Sequence, residues 1–125
     1  MDEPNALRYF RRENRYNCAQ AVLKAYAPLT GCDESCVDRF ARFGGGRAPQ
    51  GECGALYAAK AIFGDPAAKQ AVEQQFVSAA GTTRCRDIRN SRRMSCDECV
   101  QTAAHAVYSH LTEHAPLEPP RECSA

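Results

Sequence analysis

The chain has 125 residues, of which 44% are hydrophobic, and this length and composition fit one globular domain with a sizeable core. A formal net charge of +1 argues against nucleic-acid binding and against charge-driven attachment to a membrane. No N-terminal signal sequence and no segment of membrane-spanning length is visible, so we expect a cytoplasmic protein. Eight cysteines at this length indicate metal or redox chemistry before structural disulfides.

Capping residues and apolar periodicity predict an all-α, single-domain bundle of about five to six helices. A short basic amphipathic helix is expected over residues 5–13. The next helix begins at Cys18, because Asn17 is a good N-cap and Gln20 completes a capping box, and it ends at Gly31. The residues predicted to face the core from this helix are Cys18, Val22, Ala25 and Leu29.

A third helix is predicted over residues 34–43, capped by Asp33. Its predicted core residues are Val37, Phe40 and Ala41. A glycine-rich loop follows, with Gly44, Gly45, Gly46 and Gly51. The fourth helix is expected over residues 52–63, and its apolar residues almost encircle it, which is typical of a central helix.

Asp65 and Pro66 predict the start of a fifth helix that runs to about Ala80. Its predicted core residues are Ala68, Val72, Phe76 and Ala80. Residues 82–94 read as a polar, basic loop with at most a single helical turn. Ser95 and Glu98 form a second capping box, so the last helix is expected from Cys96 to about residue 114. Its predicted core stripe is Cys96, Val100, Ala103, Val107 and Leu111. We expect residues 1–115 to form the helical domain.

Residues 116–125 are rich in proline and read as a tail without periodicity. Cys123 lies in this tail, and we interpret it as a bystander. Cys32 and Cys36 flank the start of the third helix, and we interpret them as core or simply exposed cysteines.

The spacing of Gly46 and Gly51 resembles that of a phosphate-binding loop, but the chemistry of the flanking residues excludes this interpretation. Such a loop needs Lys followed by Ser or Thr, where this chain has Glu52 and Cys53. A carboxylate at that place would repel phosphate. The glycines therefore indicate a close approach of the backbone to another group.

Three cysteines, Cys18, Cys53 and Cys96, are predicted in the first turn of a helix. Unpaired backbone N–H groups and the helix dipole favour thiolate there, and thiolate is the form that ligates metals and attacks disulfides. Core packing does not require this placement three times. Cys85 joins the set because Arg84 and Arg86 flank it.

Cys96 and Cys99 form a CxxC at a helix start, which fits a redox dithiol, although the βαβ context of thioredoxin-like proteins is absent. A closed zinc ribbon would need a second CxxC, which the chain lacks.

Five ordered motifs resemble the C_GCAxxG_C_C family, described as redox-active proteins with four characteristic cysteines. The motifs are Asn17-Cys-Ala-Gln-Ala-Val22, Gly44-Gly-Gly46, Gly51-x-Cys-Gly-Ala55, Phe76 with Cys85-Arg-Asp-Ile88, and Cys96 with Val100. The resemblance places the family cysteines at Cys18, Cys53, Cys85 and Cys96. Two departures are Ala58, where the family has glycine, and Cys99, where it usually has an aromatic residue.

The resemblance implies electron transfer or cluster binding, because a related domain occurs in split-Soret cytochromes with an associated iron–sulfur centre. We therefore expect Cys18, Cys53, Cys85 and Cys96 to ligate a metal centre, with iron–sulfur first and zinc second. Amides of the glycine loop would hydrogen-bond to its sulfurs. A redox partner protein is expected. The oligomeric state stays open, since the site could also be completed across a symmetric homodimer.

Two alternatives remain open at this point. One is a thiol–disulfide oxidoreductase using Cys96 and Cys99, or Cys53 with a partner, and the same cysteines would then form disulfides without a cofactor. The other is a zinc-stabilised interaction module.

Overall fold

The computed structural model describes residues 3–10, 16–111 and 116–123, except for the side chain of Glu122. In these ranges the chain forms α-helices and short 3-10 turns, and its β-structure is limited to isolated bridges. The α-helices are α1 (Cys18–Thr30), α2 (Glu34–Arg39), α3 (Gly54–Ala61), α4 (Pro66–Ala80), α5 (Cys85–Ser91) and α6 (Cys96–Ser109). The predicted all-α, single-domain fold is confirmed. None of the helices in these ranges combines the length and apolar character that crossing a membrane requires.

The helix α3 lies at the centre of the bundle and packs against α1, α4 and α6. Its residues Ala55, Leu56, Ala58 and Ala59 are fully buried, which agrees with its predicted central position. Small side chains on this helix let three neighbours approach it closely. An aromatic cluster of Phe40, Phe43 and Tyr57 closes one side, with ring centroids 4.8–5.9 Å apart.

The predicted caps of α1, α4 and α6 are confirmed. The Asn17 side chain accepts a hydrogen bond from the Gln20 backbone amide at 2.8 Å, and the Gln20 side chain accepts one from the Asn17 backbone amide at 3.1 Å. Ser95 and Glu98 form the same reciprocal pair at the start of α6. Gly31 and Gly81 end α1 and α4 with φ of 77° and 84°, a conformation that glycine adopts without strain.

The helix predicted over residues 34–43 divides into α2 and a 3-10 turn, Phe40–Phe43. The side-chain amide nitrogen of Asn17 donates hydrogen bonds to the backbone carbonyl oxygens of Phe40 and Ala41, at 3.2 and 2.8 Å. The tighter turn places Phe43 in the core, so the prediction that Ala41 would be buried is wrong.

Two other helix starts differ from the prediction. Asn5 makes no side-chain cap, and the predicted helix over residues 5–13 is a single 3-10 turn, Ala6–Arg8, with residues 11–15 outside the described part. The helix α3 begins two residues later than predicted, so Cys53 is its N-cap. The Cys53 amide donates to the Thr83 carbonyl at 2.8 Å, which holds this residue outside the helix.

Residues 82–94, predicted as a loop, contain the two-turn helix α5. The last helix ends at Ser109 rather than near residue 114, and residues 112–115 lie outside the described part. Its predicted core residues Val100, Ala103 and Val107 are buried. The prediction is wrong for Cys96, which is partly exposed, and for Leu111, which lies beyond the end of the helix and is also partly exposed. Leu29, predicted to face the core from α1, is instead 40% exposed.

The interpretation of Cys123 as a bystander is wrong, because it forms a disulfide with Cys36. The C-terminal segment also donates a hydrogen bond from the Glu118 amide to the Ile62 carbonyl at 2.9 Å. Leu117 forms a bridge with Phe63. These contacts hold residues 117–123 against the helices, although the sequence has no periodicity there. The division of the chain near residue 115 stays a prediction.

One contact between α1 and α3 depends on a glycine. A Cβ atom on Gly54 would lie 2.5 Å from the Phe43 carbonyl oxygen and 2.8 Å from the Cys18 sulfur. Backbone and a half-buried thiol cannot move aside cheaply at such distances. The absence of a side chain at Gly54 therefore lets Cys18 reach the start of α3.

We expect Asn17→Ala to lower the free energy of unfolding by about 2 to 3 kcal/mol, because it removes the cap of α1 and the amide that satisfies two carbonyls of the following 3-10 turn. Urea unfolding measures the loss. Asp65→Ala is the matched control, since Asp65 caps α4 through one bond to the Ala67 amide, and about 1 kcal/mol is expected. Equal losses of unfolding free energy in the two variants would contradict a contribution of the Asn17 side-chain amide to the 3-10 turn.

We expect Gly54→Ala to lower the free energy of unfolding by about 2 kcal/mol, because the new methyl group overlaps the Phe43 carbonyl and the Cys18 sulfur. Gly64→Ala is the control: its methyl group would meet only the carboxylate of the exposed Glu118, which can rotate away. Chemical denaturation of both variants under reducing conditions checks this. A Gly54→Ala variant as stable as Gly64→Ala would disprove the close contact.

Candidate functional site

Five cysteine side chains line one small cavity of about 60 Å³. They are Cys18, Cys53, Cys85, Cys96 and Cys99. Four of them stand at helix starts: Cys18, Cys85 and Cys96 are the first residues of α1, α5 and α6, and Cys53 is the N-cap of α3. The other lining residues are Phe10, Asn17, Gly45, Ile88, Arg89 and Met94. The structure thus brings together the four cysteines that the sequence analysis selected.

A short antiparallel pairing places Cys53 beside Cys85. Glu52 and Arg84 form an isolated bridge, and the Cys53 amide donates to the Thr83 carbonyl. Each cysteine follows directly after a bridged residue, just as a helix starts. The pairing therefore directs both side chains into the same cavity from two different helices.

Backbone amides surround the sulfur of Cys18. Hydrogen bonds from Gly45, Ala55 and Ala19 act on this thiol. Gly45 belongs to the glycine loop and has φ of 62°, so the loop turns its amide towards α1. The close approach at Gly54 brings the amides at the start of α3 to the same sulfur.

The predicted CxxC of α6 contributes two thiols of different exposure. Cys96 is partly exposed, whereas Cys99 lies one turn further along and is 6% exposed. Cys99 hydrogen-bonds with Cys53 on the opposite wall. Cys99, the additional thiol noted from the sequence, therefore lies in the cavity. Its thiol partner is Cys53 and not Cys96.

Burial raises the pKa of the Cys18 thiol, and the neighbouring Cys53 adds to the rise. The hydrogen bond with Cys99, followed by burial, raises the pKa of Cys53. Burial also raises the pKa of Cys85. Amide hydrogen bonds lower the pKa of Cys18 and Cys53 but do not outweigh these effects. The prediction that the helix starts lower the thiol pKa is therefore wrong for Cys18 and Cys53, because burial and neighbouring thiols outweigh the amide hydrogen bonds.

Arg89 is the charged residue of the cavity wall, and sequence reasoning missed it. Its guanidinium lies 3.9 Å from the Cys96 sulfur and opposes the rise in the pKa of Cys85. It stands one helical turn after Cys85, on the same face of α5. The sequence analysis assigned this effect to Arg84 and Arg86. The i, i+4 spacing could have identified Arg89 if residues 85–91 had been recognised as a helix.

The predicted glycines lie at different distances from the cavity. Gly45 lines it, and a Cβ atom on Gly46 would lie 3.9 Å from the Cys85 sulfur. A Cβ atom on Gly44 would meet the Asn17 side chain at 2.7 Å, so Gly44 makes room for the cap of α1. Gly51 has no neighbour within 4 Å of such an atom and does not line the cavity. Its prediction as a cofactor-binding residue has no support in the geometry.

A second cysteine group lies elsewhere, with the sulfurs of Cys32, Cys36 and Cys123 all within 4.8 Å of one another. As three thiols they would offer a metal three ligands. In the structure two of them are joined as a disulfide, and Cys32 keeps its thiol. The five cysteines of the cavity are all free thiols.

The donor set of the cavity suits a thiophilic metal. Five thiols converge from α1, the start of α3, α5 and α6, backbone amides can donate to sulfur, and one guanidinium offsets negative charge. The same set also suits dithiol chemistry, since two of the thiols already contact each other.

Comparisons with curated proteins and with solved structures gave no match. The family model described as "Putative redox-active protein (C_GCAxxG_C_C)" matches residues 16–110. This range covers α1 to α6 and all five cysteines of the cavity. The chain therefore belongs to the C_GCAxxG_C_C family of redox-active proteins.

Proposed function

We propose that the chain is an electron carrier and that its metal centre is held by Cys18, Cys53, Cys85 and Cys96. An iron–sulfur cluster is the first candidate for this centre. The observation that carries the proposal is the convergence of cysteines from the starts of four different helices on one cavity. Core packing alone does not select cysteine at four separate helix starts.

The surroundings of the sulfurs support this proposal. Four thiolates are the usual ligands of an iron–sulfur cluster. The amides of Gly45 and Ala55 can stabilise sulfur-borne negative charge, and Arg89 can offset part of the total charge. Phe10 and Ile88 are buried and exclude water from the cavity.

A bound iron–sulfur centre would accept and release single electrons. Cys85 and Cys96 are partly exposed, so the site lies near the surface, where a partner protein can approach. Around them stand the exposed arginines Arg84, Arg86, Arg89, Arg92 and Arg93. A basic surface of this kind favours a redox partner with an acidic docking face.

A thiol–disulfide oxidoreductase is the second candidate, and the contact between Cys53 and Cys99 favours it. This pair would then cycle between dithiol and disulfide. The partly exposed Cys96 would be the thiol that meets a substrate. The predicted Cys96–Cys99 pair is less favoured, because the hydrogen bond of Cys99 is made with Cys53. A zinc-stabilised interaction module would show zinc that survives dialysis and no redox change.

Anaerobic purification followed by iron and acid-labile sulfide analysis tests the proposal. We expect iron and sulfide in similar amounts and a visible absorption that bleaches on reduction. Cys85→Ser should lower the bound iron at least about tenfold, because it removes one thiolate ligand. Cys32→Ser is the control, since Cys32 is also a free cysteine but lies outside the cavity, and it should retain the iron.

Colourless protein without sulfide would contradict the cluster. In that case, thiol mapping after mild oxidation would separate the alternatives. A disulfide between Cys53 and Cys99 would support the oxidoreductase, and retained zinc without redox change would support the interaction module.

A further inference from the structure

Cys32, Cys36 and Cys123 meet at a place that the proposed metal centre does not use. Cys32 precedes α2, Cys36 lies in its first turn, and Cys123 ends the C-terminal 3-10 turn Arg121–Cys123. Their sulfurs lie within 4.8 Å of one another, and none of them lines the five-cysteine cavity. Cys123 also lies outside the range matched by the family model.

Local hydrogen bonds fix both ends of this group. The Thr30 hydroxyl accepts from the Cys32 amide at 3.0 Å, and the Asp33 carboxylate accepts from the Cys36 amide at 2.9 Å. On the other side, the Cys123 amide donates to the Pro120 carbonyl at 3.0 Å. These bonds fix the local backbone at each cysteine. The hydrogen bond from Glu118 to Ile62 and the bridge of Leu117 with Phe63 hold the C-terminal segment against the helices independently of the disulfide.

We propose that these three cysteines form a thiol–disulfide exchange site, in which one disulfide moves between sulfurs and accepts electrons from a dithiol. In the internal step, the Cys32 thiolate attacks the Cys36 sulfur. The Cys32–Cys36 bond forms, the Cys36–Cys123 bond breaks, and Cys123 leaves as a thiolate that takes up a proton. The proton lost by Cys32 balances this, so no oxidant or reductant is consumed.

The external step involves a dithiol, and Cys123 is the sulfur it can reach. Cys36 is 3% exposed, whereas Cys123 is partly exposed. A dithiol thiolate attacks the Cys123 sulfur, and Cys36 leaves and is protonated. The second thiol of the dithiol then displaces Cys123 and closes a disulfide in the reductant. Two electrons and two protons pass to the chain.

Both steps break the same bond, the Cys36–Cys123 disulfide. With the Cys36–Cys123 bond closed, Glu118 and Arg121 help to line a cleft of about 700 Å³ together with Lys60, Lys69 and Glu73. Loss of the bond to Cys123 removes the covalent tie of this wall to α2. The redox state of the cysteine group therefore decides whether this wall of the charged cleft is covalently tied to α2. A dithiol is the class of molecule that breaks the tie by reduction.

The pH dependence of the internal step is a specific consequence. Burial raises the pKa of the Cys32 thiol to about 11, with the Asp33 and Glu34 carboxylates adding to the rise and the Lys24 ammonium opposing it. Those three side chains are the charged groups that shift it in the described part of the chain. Because only the thiolate attacks, we expect the exchange rate to rise about tenfold per pH unit from about pH 7 to about pH 9.

Peptide mapping measures this exchange in the unmodified chain. Trypsin places Cys32 and Cys36 in peptide 25–39 and Cys123 in peptide 122–125. After a pH jump and quenching with acid and N-ethylmaleimide, the linked pair of peptides should give way to a disulfide within peptide 25–39. Failure of that disulfide to form at any pH, or a rate independent of pH, would overturn the proposal. This readout needs no variant and no metal.

Variants test each sulfur in a redox buffer of reduced and oxidised dithiothreitol. With Cys36→Ser, peptide 122–125 should stay linked to peptide 25–39 through Cys32. With Cys123→Ser, a disulfide should form within peptide 25–39. Cys32→Ser is the control, in which the only disulfide of the group should join Cys36 to Cys123. If folded Cys36→Ser gave peptide 122–125 alkylated and unlinked, the proposal would be overturned. It would also be overturned if the three reduced cysteines bound zinc and the zinc prevented the disulfide from reforming.

Discussion

The close contact of α1 with the start of α3 is the constraint on which the rest of the site depends. At Gly54 the space that a side chain would occupy is taken by the Cys18 sulfur and the Phe43 carbonyl. This contact lets the amides of α3 reach Cys18. It also fixes Cys53, one residue earlier, so that the start of α5 can pair beside it. A single glycine thus sets the relative positions of three helix starts.

Water exclusion and amide donation act in opposite directions on the thiols of the cavity. Burial raises the pKa of the Cys18 and Cys85 thiols and so disfavours the thiolate form of each. A bound cation would reverse this balance, because its charge stabilises thiolate directly and the amides are already in place. Metal binding would then release protons, and affinity would fall as the pH is lowered.

The sequence predicted well those elements that local chemistry determines. The capping boxes at Asn17 and Ser95 and the Asp65–Pro66 start gave correct helix beginnings, because their partners lie within three residues. The break after Arg39 depends on hydrogen bonds from Asn17, which is distant in sequence, and periodicity could not reveal it. The Cys36–Cys123 pairing spans 87 residues, and the contact of Cys53 with Cys99 also joins distant parts of the sequence. The four cysteines were recognised from helix starts and family motifs, whereas Arg89 was missed because α5 was read as a loop.

The small helix α5 sets how ions would enter and leave the cavity. It carries Cys85 and Arg89 on the cavity wall, yet Ile88 is its one buried residue. So little buried apolar surface gives a short element a low free energy of local opening compared with the core helices. The opening of α5 would therefore uncover Cys85 and Arg89 together at a lower free energy than the unfolding of any core helix.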